Sequence, residues 1–142
     1  MKLSKDIKDK IKNEYTSWKE NMYAGKTVEE RQAMGQFFTP PEISIRMLEN
    51  FPDTNGTILD PTMGAANLLV VAYFAGFKIE NIYGIELDKK IFNVAKTRLM
   101  LLGFPESYFM KGKDNHFFIG DALQNNSYDF PFHKGKLGKF IK

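Results

Sequence analysis

Three short apolar runs, Thr57-Ile58-Leu59, Ile82 to Leu87 and His116 to Ile119, alternate with stretches of helical period. This alternation limits the fold more than any other feature of the sequence. Apolar strands joined through helices pair in parallel, because a right-handed crossover carries each connecting helix back across the sheet. The run PTMGAANLLVVAYFAGF opens as a tight loop after Asp60 and continues as an apolar helix to about Ala75, stopped by Gly76. Asp88 is placed to N-cap a further helix marked by Ile91, Val94, Ala95, Leu99 and Leu102 and ended by Gly103. Upstream, Leu3, Ile7, Ile11, Tyr15, Trp18 and Met22 recur every three or four residues, which predicts one amphipathic helix. A short helical piece over Val28 to Ala33 follows, and then a helix with Ile43, Met47, Leu48 and Phe51 on its buried side. For that helix Thr39 offers an N-cap, Pro40 suits the first helical position and Glu42 completes a capping box. The expected fold is α/β, with a partial parallel sheet of about three strands and helices at the N-terminus.

In a parallel sheet the ligand crevice lies beyond the carboxyl ends of the strands. Each of the three runs leads there into an acid: Asp60, Glu86 and Asp121. A single acid at such a place is usually a helix cap or a solvated loop residue, but three in register, with a glycine turn after the first, point to a ligand. At Gly64 the backbone can approach that ligand closely, and the helix that follows offers free N–H groups. Glu86 follows Asp60 at roughly the separation at which an acid accepts hydrogen bonds from ribose hydroxyls. A nucleoside-type ligand fits this pattern. The dinucleotide fingerprint requires three glycines, and here Gly64 stands alone with Ala66 beyond it; a pyrophosphate would also be repelled by Asp60. A ligand with a cationic centre near Asp60 fits better, and S-adenosylmethionine carries both an ammonium and a sulfonium. No phosphate-loop lysine pattern occurs.

Composition closes off other chemistries. There is no cysteine, which excludes disulfides, thiolate catalysis and cysteine metal sites, and the two histidines, His116 and His133, lack zinc spacing. No metal is expected. The N-terminus lacks a signal-type apolar core and no window approaches a membrane span, so a cytoplasmic protein is expected. The formal charge of +3 permits a nucleic-acid partner without requiring one. Four lysines and His133 fall between Pro131 and Lys142 without an acid, and they read either as a solvated tail or as a phosphate-binding strip.

Gly35-Gln36-Phe37-Phe38-Thr39-Pro40, followed by Asp60-Pro61-Thr62-Met63-Gly64-Ala65-Ala66-Asn67-Leu68, resembles the amino-terminal motif pair of the adenine-specific (N6) DNA methyltransferases, notably the type I modification subunits and type IIG enzymes. Gly84-Ile85-Glu86 and Gly120-Asp121-Ala122-Leu123 follow in the same order, so the resemblance covers roughly Arg31 to Leu123. It implies a Rossmann-like class I methyltransferase fold and S-adenosyl-L-methionine as cofactor. It divides the chain into an N-terminal helical segment over 1–34, a cofactor-binding domain over 35–123 and a basic tail over 124–142. Position by position, it implies that Gln36, Phe37, Phe38 and Thr39 close over the methionine part of the cofactor. Asp60, Pro61, Gly64 and Asn67 would form the cradle beneath it, and Glu86 would hold the ribose hydroxyls. Asp121 would bond the adenine amino group, with Leu87 or Ala122 packed on the ring. Ala66 stands where the family usually has glycine.

Transfer to an adenine amino group also needs a flipped, stacked target base. The family provides for this with an (Asn/Asp/Ser)-Pro-Pro-(Tyr/Phe) motif after a fourth strand, and this chain has no such motif. Asp129-Phe130-Pro131-Phe132 comes nearest, making Asp129, Pro131 and Phe132 weak catalytic candidates against the simpler reading of a turn. Two functions are therefore expected as alternatives. One is a DNA adenine-N6 methyltransferase, or its cofactor-binding portion completed by further chain or a partner. The other is a non-catalytic methyltransferase-like module acting through a methyltransferase or restriction complex. DNA is the expected partner, reached directly or through another chain. In the family's sheet the first strand pairs with the fourth, so its bare edge here implies self-association, a protein partner or a cover from the C-terminal residues.

Overall fold

The computed structural model describes residues 1–123. Helices α1 (Lys5–Tyr23), α2 (Val28–Ala33) and α3 (Pro41–Glu49) precede β1 (Ile58–Asp60), α4 (Asn67–Ala75), β2 (Ile82–Glu86), α5 (Lys89–Leu101) and β3 (Phe117–Ile119). The strands form one parallel sheet in the order β1-β2-β3, with Asp60 opposite Gly84 and Glu86 opposite Ile119. The α/β expectation therefore holds, with β1 shifted one residue toward Asp60 relative to its apolar run and β2 and β3 each one residue shorter than theirs. Among the described residues β1 is an edge strand, as the motif order implied.

The main core is built on α4, which packs against α3, α1 and the strands. Leu69, Val70, Val71 and Ala72 of α4 are buried together with Ile58, Ile82 and Phe117 from one face of the sheet. Because side chains alternate along a strand, Tyr83, Ile85 and Phe118 gather on the other face in a second, smaller cluster that Leu59 and Ala122 join. His116, at the start of β3, lies stacked between the rings of Tyr83 and Tyr108 in a structural role.

The expected cap of α3 does not form. Pro40 is extended (φ −56°, ψ 138°) and occupies the N-cap with no side-chain hydrogen bond, while Pro41 is the first helical residue. The cause is the second proline, since a residue before proline is driven out of the α region and Pro40 cannot begin the helix. The buried face shifts as well, to Ser44, Ile45 and Leu48, leaving Ile43 and Met47 each 50% exposed. A true capping box forms instead at Thr27 and Glu30, at the start of α2. Asp88 caps α5 as expected, accepting from the N–H groups of Lys90 and Ile91.

Candidate functional site

All three sequence-selected acids lie at the same end of the sheet. Asp60 ends β1, Glu86 ends β2, and Asp121 follows β3 across Gly120, whose N–H donates to the Glu86 carbonyl at 2.9 Å. The turn after β1 is drawn over the sheet by two contacts with β2. The Met63 N–H donates to the Ile85 carbonyl at 2.9 Å, and the Gly64 N–H donates to Glu86 Oε1 at 3.0 Å. Glu86 Oε2 accepts from the Asp88 N–H at 2.8 Å, so this one carboxylate ties the β1 turn to the β2 turn. Each of its oxygens keeps a second lone pair for a ligand.

The turn needs unusual backbone geometry. Gly64 has φ 55°, and a side chain added there would meet nothing within 4 Å, so its surroundings are open. Ala66 has φ 70° and is fully buried, making it the one described non-glycine residue in the left-handed region. That conformation costs an L-residue about 1–2 kcal/mol, offset in part by about 0.8 kcal/mol from its buried methyl. Ala66 also serves as the N-cap of α4 without a side-chain acceptor, so the first N–H groups of α4 are left uncapped by any side chain. Beneath the turn lies Gly84. A Cβ there would stand 2.5 Å from Met63 Sδ and 3.0 Å from Leu69 Cδ1, so the close seating of the turn on β2 depends on this glycine.

Burial at the sheet end raises the pKa of Asp60 above the ordinary carboxylate value; hydrogen bonds from Thr62 oppose the rise and the charge of Glu86 adds to it. Its Oδ1 accepts from the Thr62 N–H at 3.0 Å. Asp121 Oδ1 accepts from the Leu123 N–H at 2.9 Å. Leu87 is 68% exposed beside Glu86, whereas Ala122 packs against the Tyr83 cluster.

The GQFF segment is a 3-10 turn over Gly35–Phe37. Gln36 and Pro61 are exposed. Phe37 is half-buried, and its carbonyl accepts from Asn67 Nδ2 at 2.9 Å. The Phe38 ring is turned toward α1, with its centroid 4.9 Å from Trp18 and 4.9 Å from Tyr23. Thr39 lines a small void of about 10 Å³ among α1, α3 and α4. Asp129, Pro131 and Phe132 lie outside the described residues.

Arg98 and Glu14 were not singled out from the sequence. Arg98 is 3% exposed and pairs with Glu14 through Nη2 at 2.6 Å and Nε at 2.9 Å. A signal was present, because each charge falls on the apolar stripe of its helix: Arg98 between Ala95 and Leu102, Glu14 between Ile11 and Trp18. Among the described residues no group of three or more His, Cys, Asp or Glu could hold a metal, and no helix is long and apolar enough to cross a membrane.

The family model of the N-6 DNA methylases matches residues 11–134, nearly the whole chain. The chain belongs to the N-6 DNA methylase family. The match takes in α1 from Ile11 onward, the GQFF segment, the β1 turn and all three strands. A curated relative, the type II methyltransferase M.VspI of Vibrio sp. (strain 343), is 34% identical over 109 residues, covering 74% of this chain. The chain spans about a quarter of that relative's length, 26%. No solved structure matches.

Proposed function

We propose that the chain is the S-adenosyl-L-methionine-binding portion of a DNA adenine-N6 methyltransferase. The observation that carries this reading is Asp60, a carboxylate partly withdrawn from water beside a second acid, whose charged form a cationic ligand would relieve. The residues present fit such a cofactor. Asp60 would accept from an ammonium, Gly64 leaves open space over the turn, and Glu86 has lone pairs left for ribose hydroxyls. Asp121 would accept from the adenine amino group, and exposed Leu87 is better placed than core-bound Ala122 to cover the ring. Gln36 and Phe37 supply the facing wall, with Phe38 and Thr39 anchoring it to the helices behind. Asn67 acts from the start of α4, and Pro61 stiffens the turn. When bound, the cofactor supplies an electrophilic methyl group on a sulfonium. The residues named here bind and orient it, while capture of the target base falls to further chain or to a partner whose strand would pair with β1.

Titration calorimetry with S-adenosylmethionine tests the proposal. Micromolar affinity, about −8 kcal/mol, is expected, with binding lost in Asp60→Ala. Glu86→Ala should weaken it by about 1.5–3 kcal/mol, the range for hydrogen bonds to charged groups. No binding by a folded chain, or equal binding by Asp60→Ala, would refute the reading. A second reading is a non-catalytic module that retains this pocket. Transfer of labelled methyl to DNA by the chain alone would exclude that module.

A further inference from the structure

We propose that Arg98 is a positioning residue that fixes the GQFF wall against the β1 turn, an inference that rests on the cofactor reading above. The guanidinium reaches both sides of the candidate site. Its Nη1 donates to the Ala65 carbonyl, inside the turn, at 3.1 Å, and to Asn67 Oδ1 at 2.8 Å. From there two routes lead to the wall. Asn67 passes its other end, Nδ2, to the Phe37 carbonyl at 2.9 Å. On the second route Arg98 Cζ lies 3.8 Å over the Trp18 ring, which packs on Phe38. Glu14 holds the fork from behind with both carboxylate oxygens.

A buried ion pair is weak support for stability, because an apolar pair of equal volume often serves as well. A planar fork does what an apolar pair cannot, holding a carbonyl, an amide and a carboxylate at fixed angles simultaneously. Both routes end on adjacent residues of one short segment, which is what a device for setting the gap between wall and cradle requires.

The test compares the 142-residue chain with Asn67→Asp and Arg98→Lys. Asn67→Asp keeps the volume and the acceptor for Arg98 but turns an oxygen toward the Phe37 carbonyl, cutting one route to the wall. Hydrogen exchange should quicken at least tenfold at the Phe37 and Phe38 amides, with α4 and α5 unchanged. S-adenosylmethionine affinity should fall at least tenfold. Trp18 is the single tryptophan, and its emission should respond to cofactor in the parent and respond less in Asn67→Asp at saturating cofactor, which a purely structural role would not produce. Arg98→Lys, where it folds, should show the same pattern. Unchanged exchange at Phe37 and Phe38, exchange raised equally throughout α4 and α5, or parental affinity in Asn67→Asp would each overturn the proposal. Should the parent fail to bind cofactor, the cofactor reading falls while the exchange data still decide the positioning role.

Discussion

Asp60 carries a cost that its surroundings do not remove. Its folded pKa is raised, chiefly by burial, so its stabilising contribution is complete below the unfolded pKa and is lost as the pH rises through the folded value. Asp60→Asn keeps the acceptor for the Thr62 N–H and has no proton to lose. The variant is therefore expected to gain on the parent as the pH rises from the ordinary carboxylate range through the raised value, and to stay ahead up to pH 7. Chemical denaturation at a series of pH values measures this, and a gap that does not change with pH would contradict it. The cationic ligand proposed above would offset that cost. Its place after an apolar strand was legible in the sequence; its raised pKa was not, because burial at the sheet end is made by residues distant along the chain.

At the scale of elements, the β1 turn is seated on β2 by the absence of a side chain at Gly84. Gly84→Ala would push against Met63 Sδ, Leu69 Cδ1 and Phe117 Cδ1, and a cost of about 1–3 kcal/mol is expected. Combining it with Met63→Ala should recover part of that loss, since the two changes share one contact. Additive losses in thermal unfolding would show that the turn is held in another way. Helix starts teach a related lesson. Thr39 and Glu42 have the spacing of a capping box, as Thr27 and Glu30 do, yet the box forms at Thr27 because no second proline displaces the helix start there. The α3 pattern also misled in its buried face, because Ile43 and Met47 are apolar while α1 and α4 select the side bearing Ser44 and Ile45.

For the whole molecule, the proposed DNA partner carries a prediction that belongs to the charge distribution. If the lysines between Pro131 and Lys142 meet phosphates, the slope of log affinity against log salt should shrink by up to about 3–4 when the four are replaced by glutamine, at about 0.9 per phosphate contact. An unchanged slope would return them to solvent. The sequence by itself determined the parallel α/β order, the helix stops at Gly76 and Gly103, the Asp88 cap and the gathering of three acids at one sheet end. All of these follow from period, turn chemistry and strand direction, which are local properties or properties of topology. Only the tertiary structure decided that Glu86 ties two turns together, that Phe38 faces α1 and that Arg98 meets Ala65 and Asn67 of the β1 turn and Trp18 of α1. Those outcomes depend on which surfaces meet across long separations in sequence, and no periodicity within a single element encodes the partner that another element brings.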